Sequence, residues 1–274
     1  MRQNDMQRNL EVLVSALKKD PKALAAHMNL ECDAVIIDQT DKDGVFEFAT
    51  DRSSVVRVFE SRDRGIGKSR NMALDKAQGR IILFSDDDIV YTDGYSDRIL
   101  QAFDQHPDAD IIMFNFNVRE ERRTYHIDKT IRVHKWSVGR YPAYAAAAKL
   151  ESINSTGVRF SPLFGGGAKY ANGEDNLFFM DCLRSGLKIV AVPVTLGTEE
   201  PRESTWFKGY NEKFFKDRGV LYSFLYGNLA HLWAIRFILA KKRSYSDCIK
   251  PAAAYKIMKE GIREGKSVKK GLPN

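Results

Sequence analysis

The stretch IILFSDDDIV, residues 81–90, is an apolar run that stops abruptly in three consecutive carboxylates. Ile81, Ile82, Leu83 and Phe84 form too short a run for a buried helix, and an unbroken apolar run of this length suits a strand covered on both faces. Asp86, Asp87 and Asp88 repel one another, and a strand tip that is partly removed from water tolerates them only beside positive charge. In an open parallel sheet, ligands bind outside the carboxyl ends of the strands. The triplet therefore reads as a cation and phosphate site, with Mg²⁺, Mn²⁺ or Ca²⁺ as the hard ion that oxygen donors select. A turn that merely caps the next helix is the plainer alternative, although capping needs one such residue.

Similar runs occur at residues 10–17, 34–38, 55–61, 110–116 and 188–194. Helical spacing at residues 22–30, 68–77 and 95–103 is interleaved with them. Strands that alternate with helices imply crossover connections, hence an α/β fold with a mostly parallel sheet flanked by helices. Residues 119–160 interrupt this rhythm with charged, aromatic and then small residues. The glycine-rich FGGGAKYANGED, residues 164–175, then leads into a helix expected over 174–185. Beyond Trp206 the pattern is helical and ends in a basic tail.

The 274 residues carry 43% apolar and 29% charged side chains, as an ordinary globular chain does. Cys32, Cys182 and Cys248 are odd in number and form no paired motif, so neither a zinc site nor a disulfide framework is suggested. Together with an N-terminus lacking a secretory apolar segment, this gives the expectation of a cytoplasmic protein. The net charge of +7 is uneven: residues 241–274 hold ten Lys and Arg against three Asp and Glu, and the rest of the chain balances. Such a location argues against a nucleic-acid groove across the main domain and for a segment that meets anionic lipid or a partner. Residues 221–240 are about one membrane span long. Asn228, His231 and Arg236 interrupt them, so a helix packed on the domain or lying at an interface is expected. Residues 221–270 thus suit peripheral association with a membrane surface, with a buried structural helix as the alternative.

The loop RDRGIGKSRN, residues 62–71, joins the third of these strands to a helix. Gly65 and Gly67 let backbone N–H groups approach an anion, and Arg64, Lys68 and Arg70 surround them. The tripeptide GKS fits a P-loop only if position 62 is glycine, and it is Arg62. A P-loop-like NTPase and a non-catalytic sugar-nucleotide-binding protein are the two alternative functions kept for such a loop beside an acidic strand end.

Taken in order, the Asp38-ended strand, the R64-G-x-x-x-x-R70-N71 helix start, the FSDDD strand and the later GED before an apolar helix resemble family 2 glycosyltransferases of the GT-A fold, over roughly residues 10–206. The resemblance implies an inverting, metal-dependent hexosyltransferase that uses Mn²⁺ or Mg²⁺ and a nucleotide-sugar donor, UDP-linked by preference. Its acceptor would be a saccharide or a lipid-linked sugar, in surface polysaccharide assembly. It also implies a catalytic domain over residues 1–218, with a nucleotide-sugar half to about residue 118 and an acceptor half beyond, and a basic helical extension over 219–274. Donor contacts carry over to Ser15, Asp38 with Asp41 as a possible substitute, Arg64, Gly65, Arg70, Asn71, Asp86 and Asp87. Asp86 and Asp88 match the cation ligands, and Glu199 or Glu200 stands where many such enzymes place a histidine. Asp175, beside Glu174, matches the catalytic base; acids in a first helical turn also simply complement the helix dipole. Gly166, Gly167 and Trp206 fall on the acceptor side, where Trp206 would stack on a sugar or pack the junction to the tail. The sequence departs from the family at Val14-Ser15-Ala16-Leu17, where a Pro-Thr-Tyr type segment is common.

Overall fold

The computed structural model describes residues 9–120, 123–201 and 209–271. Along the first part of the chain run β1 (Leu10–Ala16), α1 (Pro21–His27), β2 (Asp33–Gln39), β3 (Gly44–Ala49), β4 (Val55–Ser61), α2 (Ile66–Lys76), β5 (Ile81–Asp86), β6 (Ile89–Tyr91), α3 (Tyr95–Gln105) and β7 (Ile111–Asn117). They are followed by β8 (Ile131–Arg132), β9 (Ala146–Lys149), α4 (Leu150–Thr156), α5 (Glu174–Arg184) and β10 (Ile189–Glu199). The C-terminal part is helical: α6 (Glu212–Tyr226), α7 (Ala230–Ala240), α8 (Lys242–Tyr245) and α9 (Pro251–Lys270).

One mixed sheet has the order β3-β4-β2-β1-β5-β9-β7-β10-β6, with β8 also pairing β10. The apolar runs legible in the sequence, β1, β2, β4, β5, β7 and β10, all point the same way. Every residue of β1 is buried, and its side chains divide between the faces. Leu13 joins the core under α2, α5 and α6, whereas Leu10, Val12, Val14 and Ala16 join the core under α1 and α3. The result is a three-layer α/β fold with a helical C-terminal extension.

Three features differ from expectation. β9 lies antiparallel between β5 and β7, in the small-residue stretch that interrupts the strand–helix rhythm; Ala146, Ala147 and Ala148 are fully buried there because the sheet interior is tightly packed on both faces. β3 adds an antiparallel edge to β4. The apolar run 221–240 is two helices rather than one, because Gly227 takes φ +54° and starts a short 3₁₀ turn between α6 and α7. α6 instead pairs with α9 at very close range, since an added Cβ at Gly261 would run into the Lys216 carbonyl. Among the described residues no helix is long and apolar enough to cross a membrane.

Candidate active site

The carboxyl ends of β1, β2 and β5 lie side by side, with Ala16 opposite Asp38 and Ser15 opposite Asp86. Asp86 ends β5, Asp87 and Asp88 form the turn, and β6 then turns away to pair with β10. That pairing carries Glu199 and Glu200 to the triplet, where the Glu200 N–H donates to the Asp88 carbonyl at 2.7 Å. The Glu200 carboxylate faces His27 at 2.9 Å. Asp87 accepts the Leu17 N–H at 3.2 Å, with the Lys19 ammonium 4.0 Å away. Asp38 accepts the Lys19 N–H at 3.3 Å, and burial raises its pKa against that hydrogen bond. Two carboxylates therefore fasten the loop after β1. Asp41 is exposed, 2.6 Å from Lys18 and 2.7 Å from Arg64, and Lys18 above all keeps it below the ordinary aspartate range.

The two glycine-rich loops meet. Gly65, at φ +118°, donates its N–H to Gln39 Oε1 at 2.8 Å, and the Ile66 N–H donates to the Gly166 carbonyl at 3.0 Å. A Cβ on Gly167 would stand 3.2 Å from the Gly65 Cα, so the contact favours glycine at Gly167, whereas at Gly65 it is the φ of +118° that does. Ser69 and Ser15 share a hydrogen bond at 2.9 Å between α2 and β1. The Asn71 amide spans the Phe160 backbone, donating to its carbonyl and accepting its N–H at 2.8 Å each. That makes Asn71 a fastening of α2 to the chain beyond α4.

Arg70 is the centre of a buried charge cluster. Its guanidinium is buried and pairs with Asp86 at 2.9 Å, Asp175 at 2.5 Å and Glu174 at 3.3 Å, over the ring of Phe160. Burial opposes the Arg70 charge, but Asp175, Asp86 and Glu174 overcome it and hold its pKa above the arginine value. Three carboxylates share one cation, so negative charge is in excess. Burial and the neighbouring Asp175 push Glu174 up to about 8. Burial likewise raises Asp175, against the pull of Arg70. Asp175 Oδ2 accepts the Ala143 N–H at 3.0 Å, which fixes the carboxylate from the side opposite its bond to Arg70. Gly173 precedes α5 at φ +112° with no side-chain cap, and a Cβ there would strike Leu221.

The arrangement fits a divalent cation in part. Among the described residues no group of three or more His, Cys, Asp or Glu side chains forms a ready cage. Glu199 takes the Tyr144 hydroxyl at 2.8 Å. Mg²⁺-type ions are commonly held by one or two carboxylates and completed by phosphate oxygens and water. Negative charge on Asp86 and Asp175 is what such an ion would relieve. Trp206 lies outside the described residues. Sequence reading missed Gln39, Tyr144 and the Ala143 N–H. Gln39 adjoins Asp38 at a strand end, which is a weak signal, and the other two carry none.

The family model described as Glycosyl transferase family 2 matches residues 7–161. No curated protein matches the sequence. Among solved structures, S. aureus TarS 1-349 in complex with UDP-GlcNAc is similar at a TM-score of 0.57 and 15% identity, covering 94% of this chain and 73% of that one. The mannosyltransferase PcManGT from Pyrobaculum calidifontis, in complex with GDP-Man and Mn²⁺, is similar at a TM-score of 0.52 and 13% identity, covering 94% of this chain and 75% of that one. At such identities the likeness is one of fold.

Proposed function

This chain belongs to glycosyl transferase family 2, and from its cleft we propose that it moves a sugar, with inversion, from a UDP-linked donor to a saccharide or lipid-linked acceptor. The observation that carries the reading is Arg70, which ties Asp86 at the strand end to Asp175 at the start of α5. A carboxylate suited to the donor diphosphate and one suited to the acceptor hydroxyl are thereby set on either side of one guanidinium. In this division residues 1–118 serve the donor, 119–218 the acceptor, and 219–274 form an extension.

Asp38, with Ser15 beside it, lies where a nucleoside would meet the ends of β1 and β2, and the Gly65 loop with Arg64 closes over it. Asp86 and Asp88 would hold Mn²⁺ or Mg²⁺, which as a Lewis acid stabilises the charge that develops on a diphosphate leaving group. Asp175 acts as general base. Its Oδ1 faces Arg70 and its Oδ2 faces Ala143, and each oxygen has a further lone pair for the acceptor proton. That proton passes to Asp175 while the acceptor oxygen bonds the anomeric carbon and the bond to the diphosphate oxygen breaks with its electron pair. One carboxylate on the acceptor side, with no second needed as nucleophile, makes this a single displacement. Arg70 keeps Asp175 ionised and oriented between turnovers. Glu174 accompanies it, its carboxyl pushed up to about 8 by burial and by Asp175.

The NTPase alternative loses support at the helix start. The Ile66 N–H is taken by the Gly166 carbonyl, and Gly67 packs so closely on Ser161 that a Cβ would lie 2.6 Å from its carbonyl oxygen. A panel of UDP-sugars with Mn²⁺ and simple saccharide acceptors tests the proposal. Release of UDP from at least one donor, accelerated by an acceptor, is expected; phosphate release from ATP with no UDP release from any donor would contradict it.

A further inference from the structure

Helix α7 leaves one face uncovered. Leu229, Leu232, Ile235 and Leu239 recur at three- and four-residue spacing and are 50%, 63%, 43% and 68% exposed, while Ala230, Ala234 and Ile238 bury the opposite face in the core. Beside this stripe Trp136, 67% exposed, stacks on Trp233 at 5.7 Å, and Arg236 covers the same ring at 4.9 Å. Exposed apolar side chains scattered singly are ordinary, but a contiguous stripe with an open indole marks an interaction face.

The surrounding charge says what kind. Exposed Lys241, Lys242 and Arg243 continue the chain directly from α7. On the flank facing α9, His231 is held below the ordinary histidine value by burial and then by Lys266, Lys259 and Arg263. Those three basic residues are exposed and rise along one side of α9. The stripe is thus bordered by cations at its end and along its flank.

We propose that this face docks on an anionic lipid surface, with α7 lying in the interfacial plane, its leucines at the acyl boundary and the basic residues among the headgroups. Apolar side chains on one face, an amphipathic indole and a basic border are the combination such binding uses. Electrostatic complementarity selects this occupant over a second copy, which would bring two basic tails together. The face lies on rather than spans the bilayer, in keeping with the helix lengths. It goes beyond the sugar-transfer reading and does not depend on it.

Vesicle flotation of the full chain tests it. The wild type is expected to float with phosphatidylcholine vesicles that contain phosphatidylglycerol, less so at high salt, and to stay behind with phosphatidylcholine alone. Leu232→Ser with Leu239→Ser should lower the partition coefficient about tenfold or more. Replacing Lys241, Lys242 and Arg243 by Gln should lower it similarly. The substituted side chains are exposed, so melting curves should not change. No flotation with anionic vesicles, or equal flotation of the double serine variant, would overturn the proposal. So would a concentration-dependent dimer that the serine variant abolishes while the wild type ignores vesicles.

Discussion

Asp175→Asn is expected to lower sugar transfer by about 10²- to 10⁴-fold, the range that general-base catalysis supplies. Asparagine keeps the size of the side chain, and its carbonyl oxygen can still accept the Ala143 N–H. It cannot accept the proton of an attacking hydroxyl. Donor affinity should stay within about twofold, because Asp175 faces Arg70 and Ala143 and the proposed nucleoside contacts lie at β1 and β2. Turnover and donor titration on the same preparation separate the two. A variant that keeps wild-type turnover would remove Asp175 from the chemistry, whereas loss of donor binding alone would make it a structural carboxylate. The wild-type pH profile carries a second signature. A base must be deprotonated to act, and burial raises Asp175, so the acidic limb of the rate should fall at a pH above the ordinary aspartate range.

Arg70→Ala should be the most destabilising single change in the cleft. It removes the one guanidinium shared by Asp86, Glu174 and Asp175 and leaves three carboxylates facing one another. Breaking a buried pair in this way costs about 3–5 kcal/mol. Urea unfolding at neutral pH measures it, and Arg70→Lys should recover only part because an ammonium lacks the planar fork. Wild-type stability in Arg70→Ala would mean that the cluster is not held by charge. Glu174→Gln acts the other way. Its carboxyl is raised in the fold from 4.5 to about 8, so its favourable contribution is complete below the unfolded value and is lost as pH rises through the folded one. The glutamine variant should therefore gain on the wild type as pH rises from about 4.5 to about 8, hold that gain above 8 and show none near pH 4.

Legibility followed burial. β1, β2, β4, β5, β7 and β10 were readable because strands covered on both faces appear as unbroken apolar runs. β9 was not, because Ala146-Ala147-Ala148 favours helix by local propensity and becomes a strand only through β5 and β7 on either side. β3 was missed for the opposite reason: it is a short, largely exposed edge whose register is set by β4. At the site, the carboxylates and Arg70 stood out as residue types at strand ends and a helix start. That Arg70 reaches Asp175, more than a hundred positions along the chain, is a property of the packed sheet and has no local signal. The same holds for Gln39 beneath Gly65 and for the Ala143 N–H beneath Asp175.

Binding of a nucleotide diphosphate with a divalent cation at the acidic end of β5 underlies the whole proposed reaction. Thermal denaturation of the wild type and Asp88→Ala against UDP, UDP-sugars and ATP, with and without Mn²⁺, tests it most directly, since a ligand that binds only the folded state raises the melting temperature. A Mn²⁺-dependent rise with UDP or a UDP-sugar is expected in the wild type, by about 2.7 kcal/mol of added stability at a hundredfold excess over Kd, together with its loss in Asp88→Ala. A rise with ATP alone, or an equal rise in both proteins, would contradict a diphosphate site at the end of β5.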